Sequence, residues 1–259
     1  MVRGLRVSDA ATLSFPAEIP DRLTGGVVVQ VAMDEEARPF LAEGTLLADP
    51  VVFGRAQFTP LLHEDRAILL VRSGIGLVNA ASAATSALAL CAPRAVISAG
   101  SAGGLRHDVE VGDVAIGTSY TFTDADATAF GYERGQVPGM PVDYSTDPAL
   151  LDAARDVTPE QGSHLVGQML AGGSFVTESN VKDTRERFPE ALSTDMETTS
   201  IAQVCGSHGV PFLSVRGISD LCGPAADQDF HMAVDVVAAR SARVVLEAIR
   251  RTAVTSRRP

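Results

Sequence analysis

Three acidic residues stand just past strand-like runs and are the side chains best placed to do chemistry. Glu36 follows the apolar run 26–32, Glu197 follows Leu192 to Met196, and Asp220 follows Phe212 to Ile218. In an open α/β sheet the ligand crevice lies outside the carboxyl ends of the strands, so residues far apart in sequence meet there. Carboxyl groups converging in one cleft suit acid/base work on a neutral, sugar-like substrate. Each also has a bland reading. Glu35 and Glu36 open a helix, where the macrodipole favours acids, and Asp220 equally serves as a turn or helix cap.

Such residues need a frame that brings them together. Strands are expected over Val27 to Ala32, Val51 to Thr59, Ala67 to Arg72, Ala95 to Ala99, Val114 to Thr123, Leu165 to Ala171, Leu192 to Met196 and Phe212 to Ile218. Between them, helices are expected near Asp34 to Ala42, Val78 to Leu90, Pro148 to Asp156, Val181 to Arg187, Thr198 to His208 and Met232 to Arg251. This alternation predicts an α/β fold: a single domain with a mixed, mainly parallel central sheet flanked by helices on both faces. Residues 1–24 carry Pro16 and Pro20 without periodicity and are expected to form an N-terminal extension ahead of one domain over 25–259.

At 259 residues, 46% of them hydrophobic, the chain is long enough to bury a substantial core. Its net charge of -11 opposes binding to nucleic acid or an anionic membrane surface, and a small-molecule substrate is expected instead. Cys91, Cys205 and Cys222 sit in or beside apolar segments without paired spacing. They read as reduced, buried thiols, with no metal and a cytoplasmic setting expected. Charged residues interrupt every apolar stretch of the first 25 residues, so no secretory signal is read there. The longest uncharged run, Ser73 to Pro93, is diluted by glycine, serine, threonine and asparagine, so the chain is expected to be soluble.

Small-residue runs follow several strands. Ser98 to Gly104, including Ser101 and Gly103, is expected to be a loop that lets a ligand approach backbone N–H groups, as are Ser73 to Gly76 and Gly172 to Ser174. A tight turn is the plain alternative. Gly74-Ile75-Gly76 fails as a dinucleotide fingerprint because Asn79 occupies the third glycine position, and no Gly-Lys-Ser/Thr forms a phosphate loop. The five histidines lack metal-ligand spacing. Phe130 and Tyr132 are loop aromatics suited either to partial core or to an apolar pocket wall.

Ala32 to Glu36, Ser73 to Gly76, Gly100 to Gly104, Asp124 to Asp126 with Thr128 to Tyr132, Asp195-Met196-Glu197 and Arg216 to Asp220 occur in the order and approximate spacing of a known family. The chain resembles the bacterial 5'-methylthioadenosine/S-adenosylhomocysteine nucleosidases of the nucleoside phosphorylase superfamily, from Gly26 to the C-terminus. The resemblance implies cofactor-free, metal-free hydrolysis of the bond between adenine and a 5'-thio-substituted ribose. Such a bond breaks through an oxocarbenium-like state, which calls for a better leaving group, a steadied cation and a nucleophile.

By the same resemblance Asp220 is the general acid at adenine N7, Glu36 positions or deprotonates water, and Glu197 accepts hydrogen bonds from the ribose hydroxyls beside Met196. Phe175 stacks on adenine and the Val176 backbone reads its edge. Ser101 and Arg216 hold the water and Glu36, and Ser219 steadies the Asp220 loop. Met33, Ile75, Phe130 and Tyr132 line the 5'-alkylthio pocket, and Pro138 reaches it from a second subunit, which implies a homodimer.

Two features depart from the family pattern: no aspartate precedes Phe175 in Gly172-Gly173-Ser174, and the N-terminal extension has no counterpart in compact members. A purine nucleoside phosphorylase is the nearest rival, although Ser98 stands where hexameric phosphorylases tend to carry arginine and Glu36 would repel phosphate. A futalosine or aminofutalosine hydrolase would keep the acid and ribose residues but enlarge the 5' pocket. A nucleoside-binding module without catalysis is the rival from outside enzymology.

Overall fold

The computed structural model describes residues 20–252, excepting the side chains of 231 and 232. In chain order the elements are β1 (Val27–Val31), α1 (Asp34–Glu43), β2 (Thr45–Leu46), β3 (Val51–Phe53), β4 (Ala56–His63), β5 (Arg66–Arg72), α2 (Leu77–Cys91), β6 (Ala95–Gly104) and β7 (Val114–Phe122). They continue with β8 (Tyr144–Ser145), α3 (Pro148–Arg155), β9 (His164–Ala171), α4 (Val181–Arg187), β10 (Ser193–Asp195), α5 (Thr198–Ser207), β11 (Phe212–Asp220) and α6 (Ala226–Arg251).

The strands form one mixed sheet in the order β10-β9-β7-β11-β6-β1-β5-β4-β2, with β3 on β4 and β8 on β7. Its middle, β11-β6-β1-β5, is parallel. That explains why β1 is buried along its whole length and reads as a continuous apolar run rather than an alternation. One core layer joins Val27, Val29 and Val31 to Phe40 of α1, Leu150 of α3 and Val245 of α6. On the opposite face, Val28 and Val96 join Ala80 and Ala84 of α2 and Ile201 of α5.

The sheet also closes on itself. Strand β6 pairs with β1 as far as Ser98, and its far end then pairs with β10 through Ser193↔Gly104 and Thr194↔Gly103. Strands β6, β11, β7, β9 and β10 thereby form a ring. The closure carries the Asp195 to Glu197 segment over to the ends of β6 and β11, where the other acidic residues lie.

Several sequence expectations change. Residues 98–104 are strand rather than loop, because β11 and then β10 supply the hydrogen-bond partners that a glycine-rich run normally finds in a turn. The single strand expected over 51–59 is a hairpin, turned at Gly54 with φ +62°. Helix α6 opens at Ala226 rather than near Met232. Residues 21–24 belong to the packed body, since Leu23 lies fully buried in a short 3-10 turn, whereas the first 19 residues of the expected extension lie outside the described part.

Helix α6 crosses β11 so closely that a Cβ at Gly217 would lie 2.6 Å from Val237 Cβ and 2.8 Å from its carbonyl carbon. Because the obstacle includes helix backbone, it cannot swing aside. Gly217→Ala is therefore expected to lower unfolding free energy by about 1–3 kcal/mol, read from urea midpoints.

Candidate active site

Where the ring meets the N-termini of α1 and α5, a cavity of about 160 Å³ opens. Met33, Glu36, Ile75, Ser101, Gly103, Phe175, Val176, Met196, Glu197, Ser219 and Asp220 line it. Three segments thus bring the three expected carboxyl groups to one space, all of them nearly inaccessible to solvent.

Glu36 is the third residue of α1, and its two oxygens do different work. Oε2 accepts the amides of Ala32 (2.8 Å) and Met33 (3.2 Å), the reach of an early helical glutamate back to its own N-terminus. Oε1 accepts the amide and hydroxyl of Ser101 at 2.9 and 3.0 Å. The helix-opening and cavity-facing readings therefore both hold, one on each oxygen. Gly100 sits beside this contact at φ +142°, and a Cβ there would overlap Oε1 and stand 2.9 Å from Arg216 Nη1.

Arg216, only 1% exposed, lies beneath the cavity. It donates to Ser98 Oγ (2.8 Å) and the Ser101 carbonyl (3.3 Å). Its guanidinium nitrogens also stand 3.6 Å from Asp195, 3.6 Å from Glu197 and 3.9 Å from Glu36. Nε has no hydrogen-bond partner among the described residues. Burial works against the cation, but the surrounding carboxylates outweigh it and hold the guanidinium above its usual range.

Asp195 organises the start of α5: Oδ1 accepts the amides of Glu197 (2.8 Å) and Thr198 (2.7 Å), while Oδ2 accepts the Thr198 hydroxyl. Glu197 then points back to the Ser73 to Gly76 segment, where its Oε1 accepts the Gly76 amide at 2.8 Å. Burial, helped by Asp195 and Glu36, outweighs Arg216 and that amide and pushes the Glu197 carboxyl up to about 7.

Asp220 ends β11. Its Oδ1 accepts the Cys222 amide (2.9 Å) and its Oδ2 the Ser219 hydroxyl (3.0 Å). Burial raises its pKa and the Asp229 charge adds to this, while the Cys222 amide and the Ser219 hydroxyl oppose the shift. The geometry thus gathers two carboxyls inclined to keep a proton, Glu197 and Asp220, with Glu36 and Asp195 anchored by amides and hydroxyls beside the Arg216 guanidinium.

Other expectations fare differently. Phe130 is 84% exposed at the end of a 3-10 turn, Pro138 is exposed and Tyr132 half-buried, and none of them lines the cavity of its own chain. The β7–β8 connection carries them, so the single chain does not bring Phe130 and Tyr132 to the cavity beside Met33 and Ile75. Conversely, Ala32, Ala102, Ser174, Thr194, Asp195, Cys222 and Phe230 line the cavity without having been singled out as contacts. Phe230 comes from the second turn of α6 and meets Phe175 edge-on, with centroids 6.1 Å apart. No local pattern marks it, whereas Asp195 and Arg216 carried a legible signal as charges inside short, otherwise buried strands.

A family model described as the phosphorylase superfamily matches residues 27–250. A 5'-methylthioadenosine/S-adenosylhomocysteine nucleosidase from Staphylococcus carnosus is 37% identical over 85% of this chain and 96% of its own. The crystal structure of the Neisseria meningitidis nucleosidase of the same description, in complex with methylthio-immucillin-A, superposes with a TM-score of 0.84 at 34% identity, covering 88% of this chain and all of that one. A futalosine hydrolase from Helicobacter pylori shares the fold at TM-score 0.83 with 25% identity, over 89% of this chain and 99% of that one.

Removing the central cation leaves its carboxylates buried with nothing opposite them. Arg216→Met is expected to cost about 3–5 kcal/mol of stability at pH 8. The orphaned carboxyls would then titrate higher in the folded than in the unfolded chain, so the folded state binds more protons and the deficit shrinks toward pH 5.5. Urea unfolding at the two pH values checks both the size and the sign.

Proposed function

Because the chain belongs to the phosphorylase superfamily and, within it, to the 5'-methylthioadenosine/S-adenosylhomocysteine nucleosidases, we propose that the cavity is its nucleosidase site, with Asp220, Glu36 and Glu197 as its working carboxyls. The enzyme hydrolyses the N-glycosidic bond of 5'-methylthioadenosine and S-adenosylhomocysteine, releasing adenine and the 5'-thioribose. The convergence of these three groups on one largely apolar cavity is the observation that carries the assignment of roles.

Asp220, with its raised affinity for a proton, donates to N7 of adenine, so the base departs neutral rather than as an anion. Phe175 and Val176, on the cavity wall, stack on the base and read its edge. Glu36 Oε1, fixed by Ser101, orients and deprotonates the water that attacks the anomeric carbon. Glu197 accepts the ribose hydroxyls beside Met196, and its charge steadies the cation developing on the sugar. Met33 and Ile75 border the 5' substituent.

The phosphorylase alternative is disfavoured physically. Phosphate recognition calls for accessible cationic forks, and no lysine or arginine among the described residues lines the cavity; Arg216 lies below it, surrounded by carboxylates. The futalosine alternative shares the fold and is separated by adding futalosine to the substrate panel.

The exposed β7–β8 loop supports a homodimer in which Phe130, Tyr132 and Pro138 complete the 5' pocket of the neighbouring subunit. Residues 25–259 act as one catalytic domain. No helix among the described residues is long and apolar enough to cross a membrane.

In phosphate-free buffer the enzyme is expected to release adenine from 5'-methylthioadenosine, with kcat reduced by roughly 10²–10⁴ in Asp220→Asn and in Glu36→Gln. Ribose 1-phosphate formation that requires added phosphate would reverse the choice. Light scattering is expected to give twice the 27.0 kDa chain mass, and Phe130→Asp to shift it toward one chain with loss of activity.

A further inference from the structure

Asp220 is held by a loop whose shape the chain does not adopt unaided. The Cys222 amide that anchors Oδ1 belongs to a non-glycine residue at φ +56°, a left-handed conformation that needs outside support. Arg185 of α4 supplies such support. Its Nε donates to the Leu105 carbonyl at 2.7 Å, and its Nη2 donates to the carbonyls of Leu221 (3.1 Å) and Gly104 (3.5 Å). No carboxylate pairs with it among the described residues, so its donors are directed at backbone alone.

The clamp ties three parts of the site together. Leu221 is the link between Asp220 and Cys222, while Gly104 ends, and Leu105 follows, the strand whose Gly103 lies on the cavity wall. At its other end, α4 is tied to the base-contacting segment just after Val176: Thr177 donates its amide to Asn180 Oδ1 at 2.8 Å, and the Val181 amide donates to the Thr177 carbonyl at 2.9 Å.

We infer that Arg185 is a positioning residue for the reaction: it pins the Asp220 loop to the end of β6 and to the helix behind the purine-contacting segment, so that the acid meets the leaving base in register. This rests on the reading of Asp220 as the general acid. A plain fold-stabilising arginine would act independently of Asp220; a positioning one acts through it.

The test is a double-mutant cycle on adenine release from 5'-methylthioadenosine with the full chain. Arg185→Ala is expected to lower kcat/KM by roughly 10- to 100-fold, the scale of a small misplacement of a reacting group. In the Asp220→Asn background the same change is expected to alter kcat/KM by less than about twofold. Arg185 borders a surface depression with Arg106, His107 and Leu221, so millimolar guanidinium chloride is expected to restore part of the lost rate in Arg185→Ala. Arg185→Lys, which keeps the charge but not the fork, is expected to show a smaller loss with the same dependence on Asp220, and it carries the test if the alanine variant does not fold. A wild-type rate in Arg185→Ala, or equal losses with and without Asp220, would overturn the inference. An unimpaired Asp220→Asn enzyme would overturn the acid assignment itself and the inference with it.

Discussion

A single buried cation makes the site possible. Glu36, Asp195 and Glu197 come from different segments, and gathering them away from water would be opposed both by desolvation and by their mutual repulsion. Arg216, delivered by β11 and oriented by Ser98 and Ser101 of β6, stands within 3.9 Å of all three. One positive charge cannot neutralise three negative ones; burial is the main reason Glu197 rises to about 7, and this excess of negative charge adds to it. The same excess lies beside the place where a ribosyl cation would form, so the electrostatic debt of folding is turned toward the reaction.

The ring closure explains how distant parts of the chain share so small a space. Had β6 continued alongside β1, the segment from Asp195 to Glu197 would have had no route to the ends of β6 and β11. Small residues permit the turn: Gly100 leaves room for Glu36 and Arg216, and Gly103 for Cys222 and Asp220.

Much of this was legible in the sequence, for stated reasons. Strongly periodic helices such as Leu77–Cys91, and fully apolar strands such as Val27–Val31, announce themselves because burial dictates their composition. The carboxyls at 36, 197 and 220 were visible as acids placed just past apolar runs. Residues 98–104 were not legible as strand, since glycine and serine signal turns unless distant partners supply the ladder, and those partners are β11 and β10, about 115 and about 90 residues later. Phe130 and Tyr132 look like pocket aromatics by type, but only the three-dimensional path of their loop reveals that neither lines the cavity of its own chain. Phe230 was hidden because its helix begins earlier than the apolar periodicity suggests.

The division of labour on Glu36 has a consequence for what can replace it. One oxygen closes the first turn of α1 while the other reaches Ser101, and bridging both requires the full length of a glutamate side chain. An aspartate would keep the acidity and lose one of the two grips, leaving either a frayed helix or a carboxylate untethered from Ser101. The position therefore selects for chain length as strictly as for charge, a constraint invisible to any comparison that treats the two acids as equivalent.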